Sequence, residues 1–363
     1  PQLTSFSSLE HLGYSSRWAA LFAARASVGR LPARVVRSER GGAVVVTAAG
    51  TVQAKYAAAL LKESGAAVDL PVVGDWVVVH ADDELEAPLI EAVLDRSSAI
   101  VRGDSGETSG QQALAANVDV VFVVHPLVPA PNVRRIEREL ALAWESGATP
   151  VVLLTKVDLS ADVEAAIADV SAVAFGVDVI TSSAVTGAGL DLVRAYLVSG
   201  HTGVLIGPSG AGKSTLVNAL LGEQRQATRE VRLQDGRGRH TTVTRELIAL
   251  ADDGLLIDTP GLRALVLTGA EEGIAAAFPD VEAAAAGCRF RDCAHDGEPG
   301  CAVAAAVAAG TLPEERLLSY HKLIREAQVA AAKTDARLRA EEKRRWRTIS
   351  KASKRYFKET GRA

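Results

Sequence analysis

At 363 residues the chain is long enough for two or three domains, each burying its own core. Its 48% hydrophobic and 23% charged residues are the balance of a soluble globular protein, and no apolar run approaches the ~20 residues of a membrane helix, so no transmembrane segment and no membrane partner are expected. The net charge of -4 conceals a strongly basic C-terminal end.

The opening stretch "PQLTSFSSLEHLGYSSRW" lacks the basic start and apolar run of a secretory signal, which predicts a cytoplasmic protein. Three cysteines, an odd count, argue against a disulfide framework. Residues 1–30 form an N-terminal extension without a readable role. Over 31–100, short β-rich runs alternate with Gly and charged turns: "PARVVRSE", "GAVVVTAAG", "TVQAKYAAALL", "GDWVVVHAD" and "PLIEAVLD". Five short strands without a long helix predict an OB-like β-barrel. Such barrels often bind oligonucleotides, and others serve only as packing modules.

After "RSSAIVRGDSGETSGQQ", a polar and Gly-rich connector, apolar strands alternate with helical segments. "VDVVFVVHP" leads to "NVRRIERELALAWESG", then come "TPVVLLTKVD", "LSADVEAAIADVSAVA", "GVDVITSSA", "GLDLVRAYLVSG", "TGVLIGPSG" and "KSTLVNALLG". Over 101–265 this predicts a parallel, doubly wound α/β sheet, whose ligands gather at the carboxyl ends of the strands.

"GPSGAGKST", residues 207–215, lies between a predicted strand and a predicted helix. Gly207, Gly210 and Gly212, with Pro208, Ser209 and Ala211 between them, let the backbone wrap phosphates with its amides. Lys213 adds a positive charge, Ser214 offers a hydroxyl to Mg2+, and Thr215 completes the motif. The loop alone does not choose between ATP and GTP. The next apolar strand ends "LLIDTPG", a D-x-x-G pattern, in which Asp258 holds the Mg2+ shell and the Gly261 amide reaches a γ-phosphate. "TKVD" supplies the base reading, because a carboxylate at Asp158 accepts two hydrogen bonds from the guanine N1 and N2 edge, which adenine cannot offer. Lys156 covers the base plane. Thr155 stands where an Asn is usual, which leaves a purine N7 contact open. On its own T-K-x-D also suits a helix N-cap. "TSSAV" then ends the following strand with Ser183, Ala184 and Val185, whose amides can meet the guanine carbonyl.

In this chain the base-reading motifs precede the phosphate loop. If the outer strands of the sheet come first, a circular permutation still brings all these segments to one strand-end crevice. The chain resembles the circularly permuted ribosome small-subunit-dependent GTPase A (RsgA) family over nearly everything after residue 30. The resemblance is carried by "VGDWV", "AANVDVVFVV", "TKVDL", "GPSGAGKSTLVNAL", "GRHTT", "IDTPG" and "GCRFRDCAHDGEPGCAV". It implies an OB barrel, a permuted P-loop GTPase and a zinc subdomain, acting on the small ribosomal subunit during late maturation.

Leu262 occupies the position after D-x-x-G where many GTPases place a water-orienting Gln. By the resemblance, Thr242, or less favourably Thr241, matches the switch threonine that closes on Mg2+ and the γ-phosphate. His240 matches the position that activates water. Slow intrinsic hydrolysis, accelerated by a partner, is the expected consequence. In the α-helical C-terminal stretch from 266 to 363, Cys288, Cys293, His295 and Cys301 form C-x4-C-x-H-x5-C, using every cysteine of the chain. Three thiolates and one imidazole predict a closed, structural Zn2+ site. The basic tail, with Lys343, Arg344, Arg345, Arg347, Lys351, Lys354 and Arg355, suits RNA phosphates as well as a solvated helix face. The expected partners are GTP, GDP and the small subunit with its rRNA, and the expected state is a monomer. The alternative reading is an RNA-binding assembly module whose nucleotide site regulates binding with little turnover.

Overall fold

The computed structural model describes residues 8–63, 69–82, 87–103, 111–222, 245–250, 254–258 and 270–334. Among these, a short helix α1 (Ser16–Ala23) precedes strands β1 (Arg30–Glu39), β2 (Gly42–Thr47) and β3 (Gly50–Tyr56), helix α2 (Ala58–Glu63), and strands β4 (Trp76–His80) and β5 (Leu89–Val93). Hydrogen bonding runs β1-β2-β3-β5-β4 and returns from β4 to β1, closing a five-stranded barrel. The segment "TVQAKYAAALL" divides after Tyr56, where its alanines and leucines, good helix formers, turn into α2.

All six residues of β2 are buried because the strand has two apolar faces. Ala43 and Val45 fill the barrel with Ala33, Val35, Val77, Val79 and Ile90, while Val44 and Val46 join a second core outside it. Trp76, also facing outward, packs at a tilt against Tyr14 and Trp18, with ring centroids 5.0 and 5.9 Å away. The expected connector is structured: β6 (Ala99–Gly103) and β7 (Gln111–Ala116) pair as an antiparallel hairpin that lies against the barrel. Gly74 permits that approach, since at φ 92° a Cβ there would sit 2.1 Å from the Ala116 carbonyl oxygen.

The α/β sheet follows. Its elements are β8 (Val120–Pro126), α3 (Val133–Glu145), β9 (Thr149–Thr155), α4 (Val163–Ser171), β10 (Asp178–Ser182), α5 (Leu190–Tyr196), β11 (Thr202–Ile206), α6 (Lys213–Leu221), β12 (Glu246–Ala249) and β13 (Leu255–Asp258). The strand order is β10-β9-β8-β11-β13-β12. The first five strands are parallel, and β12, absent from the sequence reading, is an antiparallel edge that touches the barrel through the pair Arg37 and Glu246. The sheet is wound on both faces. Val121, Val123, Val152, Leu154 and Ile206 pack with Ile136, Leu140 and Val170 of α3 and α4. The alternate residues Val120, Phe122, Leu153 and Leu205 pack with Val193, Leu216 and Leu220 of α5 and α6. Alternation across a strand with period two produces these continuous apolar runs.

Arg34 joins the barrel to this sheet. Its guanidinium donates to the carbonyls of Leu12, Gly74 and Asn117, and at 2.8 Å to the Thr202 hydroxyl at the start of β11. Burial pulls its pKa down to about 10, against the opposing charges of Asp119 and Asp75, so it stays a cation at neutral pH.

The C-terminal stretch adds α7 (Glu271–Ala277), α8 (Pro279–Ala285), α9 (Ala302–Ala308) and α10 (Glu314–Thr334). A buried ionic cluster docks it on α3. Arg316 of α10 makes a bidentate pair with Asp280 at 2.9 Å, reaches Glu137 of α3 at 2.8 Å, and lies 4.1 Å over the Phe278 ring. Among the described residues no helix is long and apolar enough to cross a membrane.

Candidate nucleotide site and metal centre

The chain visits β8, β9 and β10 in one direction across the sheet, then returns to place β11 on the other side of β8. That reversal, between β8 and β11, is the switch point where open α/β sheets bind ligands. The 207–212 loop leaves β11 there. Gly207 has φ 136°, and a Cβ on it would come within 2.1 Å of the Val124 carbonyl oxygen of β8, so only glycine lets the loop start so close to its neighbour. Gly210 and Gly212, at φ 80° and 86°, bend the loop into the N-terminus of α6. Ala211 is buried beneath it, while Ser209, Gly210 and Ser214 are exposed and Pro208 and Thr215 half-buried. The Lys213 ammonium donates to the carbonyls of Gly207 and Pro208 at 2.8 and 2.6 Å, which holds its charge over the loop.

The "TKVD" segment ends β9 on the same edge. Pro126 of β8 pairs with Thr155, and Val123 of β8 with Ile206 of β11, so Thr155 stands level with the 207–212 loop, three residues beyond the end of β11. Thr155 is buried, and its hydroxyl donates to the Ala211 carbonyl at 2.6 Å. Lys156 then takes a left-handed conformation, φ 62°, and starts a single 3-10 turn over Val157–Leu159 that carries the exposed Asp158. On β10, Ser182 pairs with Thr155. The buried Ser183 hydroxyl oxygen accepts from the amides of Val185 and Thr186 at 3.2 and 3.1 Å. The Val185 amide is thus engaged within its own loop, which shifts the expected carbonyl contact toward Ala184. Asp258, half-buried, ends β13 one residue past the pair of Ile257 with Val204.

Thr155, Lys156, Asp158, Ser183, Ala184, Val185, the loop 207–215 and Asp258 therefore share one strand-end edge. His240, Thr241, Thr242, Gly261, Leu262 and the basic residues of the tail lie outside the described residues. At this edge the sequence did not announce His125: at the end of β8 it is buried with its Nε2 2.7 Å from Glu139 Oε2, and Arg135 pairs with the other oxygen of Glu139 at 2.8 Å. This chain of contacts ties the start of α3 to the strand beside the 207–212 loop. The signal available was a histidine at a strand's carboxyl end followed by a Glu on the next helix.

Cys288, Cys293, His295 and Cys301 converge between α8 and α9, with their ligand atoms all within 4.8 Å of one another. His295 Nδ1 lies 3.6 Å from the sulfurs of both Cys288 and Cys301, which are 4.0 Å apart. A tetrahedral ion with metal–sulfur bonds of about 2.3 Å and metal–nitrogen bonds of about 2.0–2.1 Å needs ligand edges of about 3.5–3.8 Å, so this Cys3His cluster fits a metal such as Zn2+. The backbone prepares the thiolates: the Ala302 amide donates to Cys288 Sγ and the Ala304 amide to Cys301 Sγ, both at 3.3 Å. Burial and the nearby charge of His321 hold the His295 imidazole below its ordinary pKa, favouring the neutral form that ligates. Glu298, unforeseen from the sequence, braces the loop by accepting from the amides of Ala294 and Asp296 at 3.0 and 2.8 Å.

The RsgA GTPase family profile matches residues 93–268. The small ribosomal subunit biogenesis GTPase RsgA of Streptomyces avermitilis is 49% identical over 350 residues, covering 94% of this chain and 93% of that one. The protein of the same name from Opitutus terrae is 45% identical, covering 94% and 95%. Among solved structures, YjeQ from Thermotoga maritima superposes with a TM-score of 0.63 at 27% identity, over 82% of this chain and 98% of that one. YloQ, described as a circularly permuted GTPase, matches with a TM-score of 0.60 at 24% identity, over 82% and 95%, and speaks to the fold alone.

Proposed function

Since the chain belongs to the RsgA GTPase family, we propose that it binds GTP across the strand-end edge, hydrolyses it to GDP and phosphate, and couples that cycle to late maturation of the small ribosomal subunit. The observation that carries this reading is the 2.6 Å hydrogen bond from Thr155 to Ala211, which joins the base-reading segment to the phosphate loop in a chain whose motifs occur in reversed order. Asp158 then reads the N1 and N2 edge of guanine, Lys156 covers the base, and the Ala184 amide meets its carbonyl. The loop amides and Lys213 hold the phosphates, and Ser214, Asp258 and Thr242 would hold Mg2+, which when bound would supply positive charge to the phosphates.

Hydrolysis is attack of water on the γ-phosphorus with release of the bridging oxygen to GDP. His240 orients that water, Thr242 and the Gly261 amide close on the γ-phosphate, and Leu262 leaves the site without the usual Gln. Zn2+ on Cys288, Cys293, His295 and Cys301 is structural, because four protein ligands leave no position for water. The division into an extension through residue 30, a barrel over 31–100, a GTPase domain over 101–265 and a zinc-bearing subdomain from 266 belongs to the same reading. So do rRNA contacts by the barrel and the basic tail, action as a monomer, and the cytoplasm as the compartment of the ribosomal substrate.

The test is GTP turnover titrated with purified small ribosomal subunits. Contacts supplied in trans accelerate GTPases by on the order of 10³ or more, and saturable stimulation of that kind is expected. In the same assay His240→Ala loses the stimulated rate while binding GTP as the wild type does. Subunit binding without multiple turnover would instead favour an RNA-binding assembly module with a regulatory nucleotide site, and equal turnover by His240→Ala would remove that residue from the reaction.

A further inference from the structure

Thr155 occupies the place in "TKVD" from which a side chain would be expected to touch the purine N7, yet it is only 4% exposed. Its Oγ1 lies 2.6 Å from the Ala211 carbonyl oxygen and 3.3 Å from that of His125. A threonine hydroxyl has one proton to donate, and both neighbours are acceptors, so the proton goes to the nearer Ala211 oxygen. N7 of guanine is likewise an acceptor. Thr155 therefore has nothing left to give it.

The same bond has a consequence for the loop. In the trans peptide between Ala211 and Gly212 the C=O and N–H point in opposite directions. Pinning the Ala211 oxygen against β9 fixes the direction of the Gly212 N–H, one of the amides a phosphate loop presents to its anion. The pin is itself anchored, because the Thr155 carbonyl accepts from the Leu127 amide at 2.8 Å and the strand ends of β8 and β9 are held together. Gly212 lies close to the hydroxyl: a Cβ built on it would be 3.7 Å from Thr155 Oγ1.

We propose that Thr155 is a positioning residue whose hydroxyl anchors the phosphate loop to the base-reading strand, setting phosphate affinity without touching the base. The inference rests on the reading of this edge as a GTP site. It is tested by equilibrium titration of GTP and 7-deaza-GTP, in which carbon replaces N7, against the wild type, Thr155→Val and Thr155→Ser, with ATP as a control on the wild type. Loss of one buried hydrogen bond in the valine variant weakens GTP and 7-deaza-GTP by the same factor, on the order of tenfold. The serine variant, which keeps the hydroxyl, binds both nucleotides as the wild type does, and the ratio of GTP to 7-deaza-GTP affinity is the same in all three proteins.

If 7-deaza-GTP is penalised in the wild type and the penalty vanishes in Thr155→Val, the residue reads N7 and the proposal is wrong. It is equally wrong if the valine variant binds as tightly as the wild type, or if serine fails as valine does. Should the valine variant unfold early in a thermal melt, Thr155→Ala takes its place with the same expected ratio. A wild type without preference for GTP over ATP overturns the guanine reading itself, a separate outcome.

Discussion

Asp158→Asn is expected to weaken GTP binding by about 10²- to 10⁴-fold, the cost of two charge-assisted hydrogen bonds at about 1.5–3 kcal/mol each. The amide would set a donor where guanine N1 and N2 also present donors, so the loss includes a mismatch as well as a missing charge. Xanthine carries a carbonyl at the 2-position, which the Asn amide can meet, and XTP is therefore expected to bind the variant better than GTP does. Asp158 is exposed on its 3-10 turn, so the substitution leaves thermal stability within about 0.5 kcal/mol of the wild type. Nucleotide titrations with GTP, XTP and ATP check the outcome, and unchanged GTP affinity would show that the carboxylate does not face the base.

The second large effect lies at the cysteine cluster. Structural metal ions in small modules contribute ~10–16 kcal/mol of apparent binding free energy, more than most domains have in reserve. Chelation, or Cys301→Ala, is expected to release one Zn2+ per chain and to unfold the segment from Cys288 through α9. Cys301 is the critical position because it is buried and its sulfur also caps α9 through the Ala304 amide. The rest of the fold should survive, since α10 is held on α3 and α8 by Arg316 with Glu137 and Asp280, and α7 is held on α3 by the Gly273 amide donating to Glu145. Metal analysis together with hydrogen exchange over residues 288–308 separates these outcomes. Retained protection after complete metal removal would mean that packing alone holds the segment.

Local grammar made much of this architecture readable. A strand, a Gly-rich turn and an amphipathic helix in register announced the segment from Thr202 to Leu221, because each feature depends on neighbours within a few residues. The reversed motif order implied that the outer strands come first, and β10, β9 and β8 do stand together on one side of β11. Contacts between residues remote in sequence were not readable. The bond from Thr155 to Ala211 spans 56 positions and that from Arg34 to Thr202 spans 168, and neither side chain advertises its partner. Arg34 in particular sits in a β-rich run where an arginine suggests an outward face, whereas four acceptors from four separate parts of the chain draw it inside.

Two elements were missed for a related reason. The hairpin of β6 and β7 hides in a segment whose Gly and Ser content suggests a linker, and β12 is only four residues long. Both are stabilised by pairing, β12 with β13 and the hairpin with itself, and strand propensity is weak evidence without a known partner. Glu298 and His125 belong to the same class: their roles as braces of the cysteine loop and of α3 arise from hydrogen bonds that only the folded chain assembles.

The most direct measurement is a crystal structure of the protein with Mg2+ and a non-hydrolysable GTP analogue. The account predicts the Asp158 carboxylate within hydrogen-bonding distance of guanine N1 and N2, with Lys213 released from the Gly207 and Pro208 carbonyls onto the β- and γ-phosphates of the same molecule. A nucleotide bound with either side chain turned away from it, or seated elsewhere on the chain, would contradict the account.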